Sequence, residues 1–71
     1  MKEGTYLRIA YKAFENGMRF VGPSYVAKEL GISKVTAYEA LLKLAKMNYG
    51  SYNPKKGFVL NKNGIKVGKD L

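Results

Sequence analysis

The residues with chemistry to offer gather between positions 33 and 43. Lys34, Val35, Thr36, Tyr38, Glu39 and Lys43 fall outward at helical spacing, opposite a stripe of Ala37, Ala40, Leu41 and Leu44. Lys34 brings an ammonium suited to a phosphate, and Ser33 and Thr36 bring hydroxyls that can donate to one. Val35 is an apolar side chain on a polar face, which suits a thymine methyl, and Glu39 can accept from a cytosine amino group. Each also has an ordinary role: Val35 packing on a neighbouring helix, Tyr38 as a half-buried core ring, Glu39 paired with Lys43 one turn on. A second set flanks this one. Lys55 and Lys56 sit in a turn, Asn53-Pro54-Lys55-Lys56-Gly57, and Ser24, Tyr25 and Lys28 precede the central helix. Solvated surface lysines are the ordinary alternative there.

This inventory is poor in catalytic groups. The chain has no His and no Cys, so the commonest general base and metal ligand is absent, as is any thiolate. Asp70 and the four glutamates form no paired-carboxylate or metal-spaced motif, and the glycines form no phosphate-binding loop. Neither an enzyme nor a metal or cofactor site is expected.

The spacing predicts the elements that must position these side chains. Residues 3–16 read as an amphipathic helix with Leu7, Ala10, Tyr11 and Phe14 inward, ended by Asn16-Gly17. Met18 to Val21 reads as a short strand, and Gly22-Pro23 breaks the chain before a short helix capped by Ser24. That helix carries Val26, Ala27 and Leu30 on one face. Gly31 takes the left-handed position of a tight turn, Ile32 returns to the core, and Ser33 caps the next helix, which runs to Met47 with Asn48 as its C-cap. Ala27 and Ala37 are small where two steeply crossed helices must approach. Tyr49–Tyr52 and Phe58–Leu60 then read as a hairpin around the Asn53–Gly57 turn. Asn61 caps a last helix over 62–71, weakened by Gly64 and Gly68. The expected fold is therefore mainly α with a small β-hairpin: a winged helix-turn-helix, three-helix core plus wing, filling residues 1–71 as a single domain.

Composition agrees with a nucleic-acid partner. Lys and Arg outnumber Asp and Glu 13 to 5 among the 71 residues, a formal charge of +8. Such a balance suits a polyanion binder, although it also serves simple solubility. No apolar stretch is long enough to span a bilayer and no signal-peptide core is evident, so the reading is a cytoplasmic protein.

Four stretches together resemble the DNA-binding domain of the diphtheria toxin repressor and iron-dependent repressor family. Tyr6-Leu7-Arg8 is similar to the family's opening motif, and VAKELGIS resembles its first motif helix and turn. Ser33 to Leu44 resembles the recognition helix without a gap, and KKGFVLNKNG resembles the wing and its exit. Winged domains of the multiple-antibiotic-resistance regulators share much of this pattern. The resemblance implies a transcriptional regulator, a repressor by family, that binds double-stranded DNA, with Val35, Tyr38 and Glu39 at base-approaching positions. In metal-activated members a Met directly before Tyr-Leu-Arg contributes to a metal site, and here that residue is Thr5. The other ligands and the dimer interface lie in a following helical domain in that family. The chain reads as a piece of a longer regulator or as a stand-alone winged helix without metal control.

Other occupations of the same fold differ in their demands. A protein-interaction module would want a broad apolar patch where this chain has Lys34, Thr36 and Lys43. A nonspecific nucleic-acid coat would need the charge alone. Base stacking by the six tyrosines is disfavoured, because Tyr6, Tyr25, Tyr38 and Tyr52 are scattered over four elements. Tyr6 and its neighbours on the first helix are a candidate homodimer contact.

Overall fold

A computed structural model describes residues 3–71. The chain forms α1 (Glu3–Glu15), α2 (Pro23–Leu30), α3 (Lys34–Lys46), a hairpin of β1 (Gly50–Asn53) and β2 (Gly57–Leu60), and α4 (Lys62–Lys69). This is a winged helix with a fourth helix after the wing. Among the described residues no helix is long and apolar enough to cross a membrane.

The first three helices end in the same way. A left-handed residue (Gly17, Gly31 or Asn48) follows the last helical turn, and the next amide reaches back five residues: Met18 to Ala13, Ile32 to Ala27, Tyr49 to Leu44, at 2.9, 3.1 and 3.1 Å. These bonds satisfy carbonyls that the helices leave open and turn the chain sharply. At Gly31 the backbone sits at φ 66°, so α2 leads into α3 with only Gly31, Ile32 and Ser33 between them. Ser33 caps α3 by accepting from the Thr36 amide at 3.1 Å, as its position predicts.

The core is built from Leu7, Ala10 and Ala13 of α1, Val26 of α2, and Ala37, Leu41 and Leu44 of α3, closed by Val21 and Phe58. Ala37 is fully buried and Ala27 partly so, which lets α2 and α3 pack closely. Phe58 is the largest fully buried side chain. Burying an aromatic of that size is worth roughly 2–3 kcal/mol.

Several expectations are corrected. On α1 the buried stripe is Tyr6, Leu7, Ala10 and Ala13, whereas Phe14 stands 42% exposed. The helix is covered by both α3 and α4, so its buried arc is displaced from the one that periodicity selects, and Tyr11 lies against α4. Tyr6, only 6% exposed, is a core residue and offers no surface to a second chain. The strand expected at 18–21 contracts to one bridge, Val21 to Phe58, with both backbone bonds at 2.8 Å. Ser24 does not cap α2. Gly22 holds that place without a side-chain bond and Pro23 opens the helix, because proline has no amide to satisfy and its fixed φ suits the first turn. In the hairpin β1 begins one residue later than expected, and the pairing is Gly50 with Leu60, Tyr52 with Phe58 and Asn53 with Gly57.

The glycines of α4 reverse their expected meaning. Asn61 caps the helix, accepting from the Gly64 amide at 2.8 Å. Gly64 and Gly68 are both buried. A Cβ at Gly64 would run into the Tyr49 carbonyl oxygen, and one at Gly68 would lie 2.9 Å from Tyr11 Cβ. They are the sites at which α4 touches the base of the hairpin and α1. Helix propensity alone would have Gly64→Ala stabilise by about 1 kcal/mol. The close approach predicts a loss of about 1–3 kcal/mol in urea unfolding instead, and a neutral or stabilising result would contradict this packing.

Candidate nucleic-acid interface

Of the residues singled out by sequence, Ser24, Lys28, Ser33, Lys34, Val35, Thr36, Tyr38, Glu39, Lys43, Lys55 and Lys56 are exposed, whereas Tyr25 is half-buried against the core. Ser24, Lys34, Val35 and Tyr38 come together with Tyr52 and Pro54 around an open groove of about 480 Å³. The groove runs between the start of α2, the start of α3 and the wing. Lys28, Ser33, Thr36, Glu39, Lys43, Lys55 and Lys56 lie outside its lining.

Val35 is 67% exposed, so it is not spent on packing against a neighbouring helix. Tyr38, 42% exposed, sets its ring edge-on to Tyr52 of β1, with centroids 5.4 Å apart and planes at 79°. Edge-to-face pairs of this kind contribute about 0.5–1.5 kcal/mol beyond their burial. The contact joins the outward face of α3 to the wing. Partial burial, and secondarily the neighbouring Tyr38, raise the Tyr52 phenol above its ordinary pKa, so it is protonated and a hydrogen-bond donor at neutral pH.

At the start of α3 the Ser33 hydroxyl donates to Thr36 Oγ1 at 2.8 Å while its oxygen accepts from the Thr36 amide. Ser33 is therefore occupied by the cap. Thr36, as acceptor in that bond, still has its own hydroxyl proton to offer.

The wing tip is shaped by Asn53, whose Oδ1 accepts from the Lys55 and Lys56 amides at 2.8 and 3.0 Å. This local bond fixes the turn that presents both lysines. Lys56 Nζ stands 5.4 Å from the centroid of the Phe20 ring, a cation–π contact worth roughly 0.5–1 kcal/mol at an exposed site. Phe20 adjoins Val21, the residue bridged to β2, so the tip is braced against the segment that precedes α2.

Tyr52 and Pro54 were not singled out by the sequence pattern. Tyr52 reads there as one more strand aromatic. Only the register, which puts it across from Phe58, turns it toward α3.

Two substitutions separate the roles of the serines. Ser33→Ala removes a side-chain cap and should lower stability by about 1 kcal/mol in denaturant unfolding. Ser24→Ala should change stability by no more than about 0.5 kcal/mol, since Ser24 caps nothing. Equal losses at both positions would contradict this assignment of the caps.

Against known proteins, the sequence model of the iron dependent repressor, N-terminal DNA binding domain family matches residues 2–58, from α1 into the second strand of the wing. No individual curated protein gives a significant match. The family's description includes iron, and the residues here do not fit an iron site. Among the described residues no three His, Cys, Asp or Glu side chains are grouped to hold a metal.

Proposed function

The chain belongs to the family of iron-dependent repressor N-terminal DNA-binding domains, and on that premise we propose that it acts as a sequence-specific transcriptional regulator on duplex DNA in the cytoplasm. The observation that carries the reading is the face of α3. Val35 stands 67% exposed between Lys34 and Thr36, with the wing beside it across one groove. An apolar side chain held out among donors and a cation suits a surface that must meet both base edges and phosphates.

Dimensions support docking of α3 in a major groove. Its 13 residues make a rod of about 20 Å, and a major groove about 12 Å wide accepts a single helix. In this pose Val35, Tyr38 and Glu39 approach base edges, Val35 toward a thymine methyl and Glu39 toward a cytosine amino group. Lys34, Thr36 and Lys43 meet flanking phosphates, with Ser33 ordering the helix start. Ser24 and Lys28 brace the backbone from α2, and Lys55 and Lys56 reach it from the wing. The overall extents of 27 × 23 × 23 Å are shorter than one turn of duplex, about 34 Å. One chain therefore covers a half-site, and a homodimer on paired half-sites is the arrangement that gives useful affinity. No metal takes part in this account.

The test is the salt dependence of duplex binding. Replacing Lys55 and Lys56 together by Ala should weaken binding to every sequence alike. It should also flatten the plot of log affinity against log salt by about 0.9 for each phosphate that is no longer neutralised. Val35→Ala or Glu39→Gln should leave that slope unchanged and alter which sequences are preferred. An unchanged affinity and slope in the lysine double variant at low salt would remove the wing from the interface. Failure of the unaltered chain to bind any duplex at low salt would overturn the DNA reading and favour a protein partner.

A further inference from the structure

We propose that the groove between the wing and α3 is a phosphodiester seat that holds one strand of the DNA backbone, with the Tyr52 hydroxyl as an uncharged donor to a phosphate oxygen. The proposal rests on the reading of α3 as the helix that enters the major groove, and deepens it by assigning the space beside that helix.

The lining carries the argument. Among the described residues its polar side chains are Ser24, Lys34, Tyr38 and Tyr52, and no acidic side chain contributes to it. Every one of these groups can donate a hydrogen bond, and Lys34 adds an ammonium. A concave surface with donors and no carboxylate selects an anion. Of the apolar walls, Pro23 and Pro54 are of a size to lie against a deoxyribose. Phosphate alternating with sugar is the chemistry of a nucleic-acid backbone, so one strand satisfies both kinds of wall together.

Tyr52 is held for this role by three features. It faces Phe58 across the hairpin, so its ring is on the core-facing side of the wing. Its edge-to-face contact with Tyr38 fixes the ring relative to α3. Like any tyrosine its phenol is protonated at neutral pH, and burial shifts it further in that direction, so the donor that an anion requires is present. A neutral donor differs from a lysine in one measurable respect. It strengthens contact with a phosphate without replacing a condensed counterion, so it contributes affinity and leaves the salt slope alone.

The experiment titrates the full chain with duplex DNA at several salt concentrations, as unaltered protein, Tyr52→Phe and Lys34→Gln. Tyr52→Phe keeps the ring and its contact with Tyr38, and thermal unfolding checks that the fold is retained. The expected result is binding about three- to tenfold weaker to all duplexes, with the same salt slope. Lys34→Gln, in contrast, should lower the slope by about 0.9. In a duplex whose phosphates along the contacted strand are replaced singly by methylphosphonates, the Tyr52→Phe penalty should vanish at one position.

Unaltered affinity in Tyr52→Phe would overturn the proposal and leave the parent reading intact, provided that the unaltered protein binds. A penalty confined to one DNA sequence would overturn it too, by making Tyr52 a base contact. A penalty that survives methylphosphonate replacement at every position would show that the hydroxyl meets no phosphate. If the unaltered protein binds no duplex, this proposal and the parent reading fall together.

Discussion

The docking of the wing on the core depends on Phe58. Its ring is buried in the cluster formed by α1, α2 and α3, while its backbone exchanges two hydrogen bonds with Val21. One residue therefore ties β2 to the core and to the segment that feeds α2. Because Tyr52 sits opposite Phe58 in the register, the same anchor settles where the Tyr52 ring emerges, and hence how wide the groove beside α3 is. Lys56 over Phe20, next to Val21, braces the tip from the other side. A hairpin of two four-residue strands is too small to be stable alone. Here its geometry is borrowed from the helical core through a side chain that could not leave that core without several kcal/mol of loss.

A second joint lies at the far end of α3. Asn48, in the left-handed conformation, gives its carbonyl to the side-chain amides of both Asn61 and Asn63, each at 3.0 Å. The other end of the Asn61 amide caps α4, and the Asn61 backbone amide bonds the Tyr49 carbonyl at 3.1 Å. Gly64 then rests against that same carbonyl. The end of α3, the base of the hairpin and the start of α4 are thus one hydrogen-bonded unit. For a chain whose core is small, such polar joints hold α3 at its C-terminal end while the Tyr38–Tyr52 contact holds its other half.

Features set by near neighbours in sequence were legible before the fold. The turn at Gly31 and the caps made by Ser33 and Asn61 use bonds to residues within a few positions, so residue type and spacing were enough to assign them, whereas the bonds from Asn61 to Asn48 and Tyr49 were not legible. The Asn53–Gly57 turn and the outward face of α3 were legible for the same reason. What escaped were properties that depend on a second element. Gly64 and Gly68 look like weak points in a helix until Tyr49 and Tyr11 are seen against them. The buried face of α1 could be read only approximately, because α3 and α4 both pack on it, and the arc they bury takes in Tyr6 and Ala13 and leaves Phe14 out. Ser24 yields its place to Gly22 because Pro23, one residue earlier, is the stronger signal for a first helical turn. Tyr52 was hidden since its importance comes from a partner on α3 and not from its own strand.

The role proposed for the outward face of α3, framed by the wing, is to read base sequence in duplex DNA. Selection of binding sites from a random duplex pool at moderate salt tests it most directly. The expected result is an enriched motif that fits one major groove, repeated with two-fold symmetry at a spacing of about one helical turn or a multiple of it. Retention of DNA without any enriched sequence, or no retention even at low salt, would contradict it.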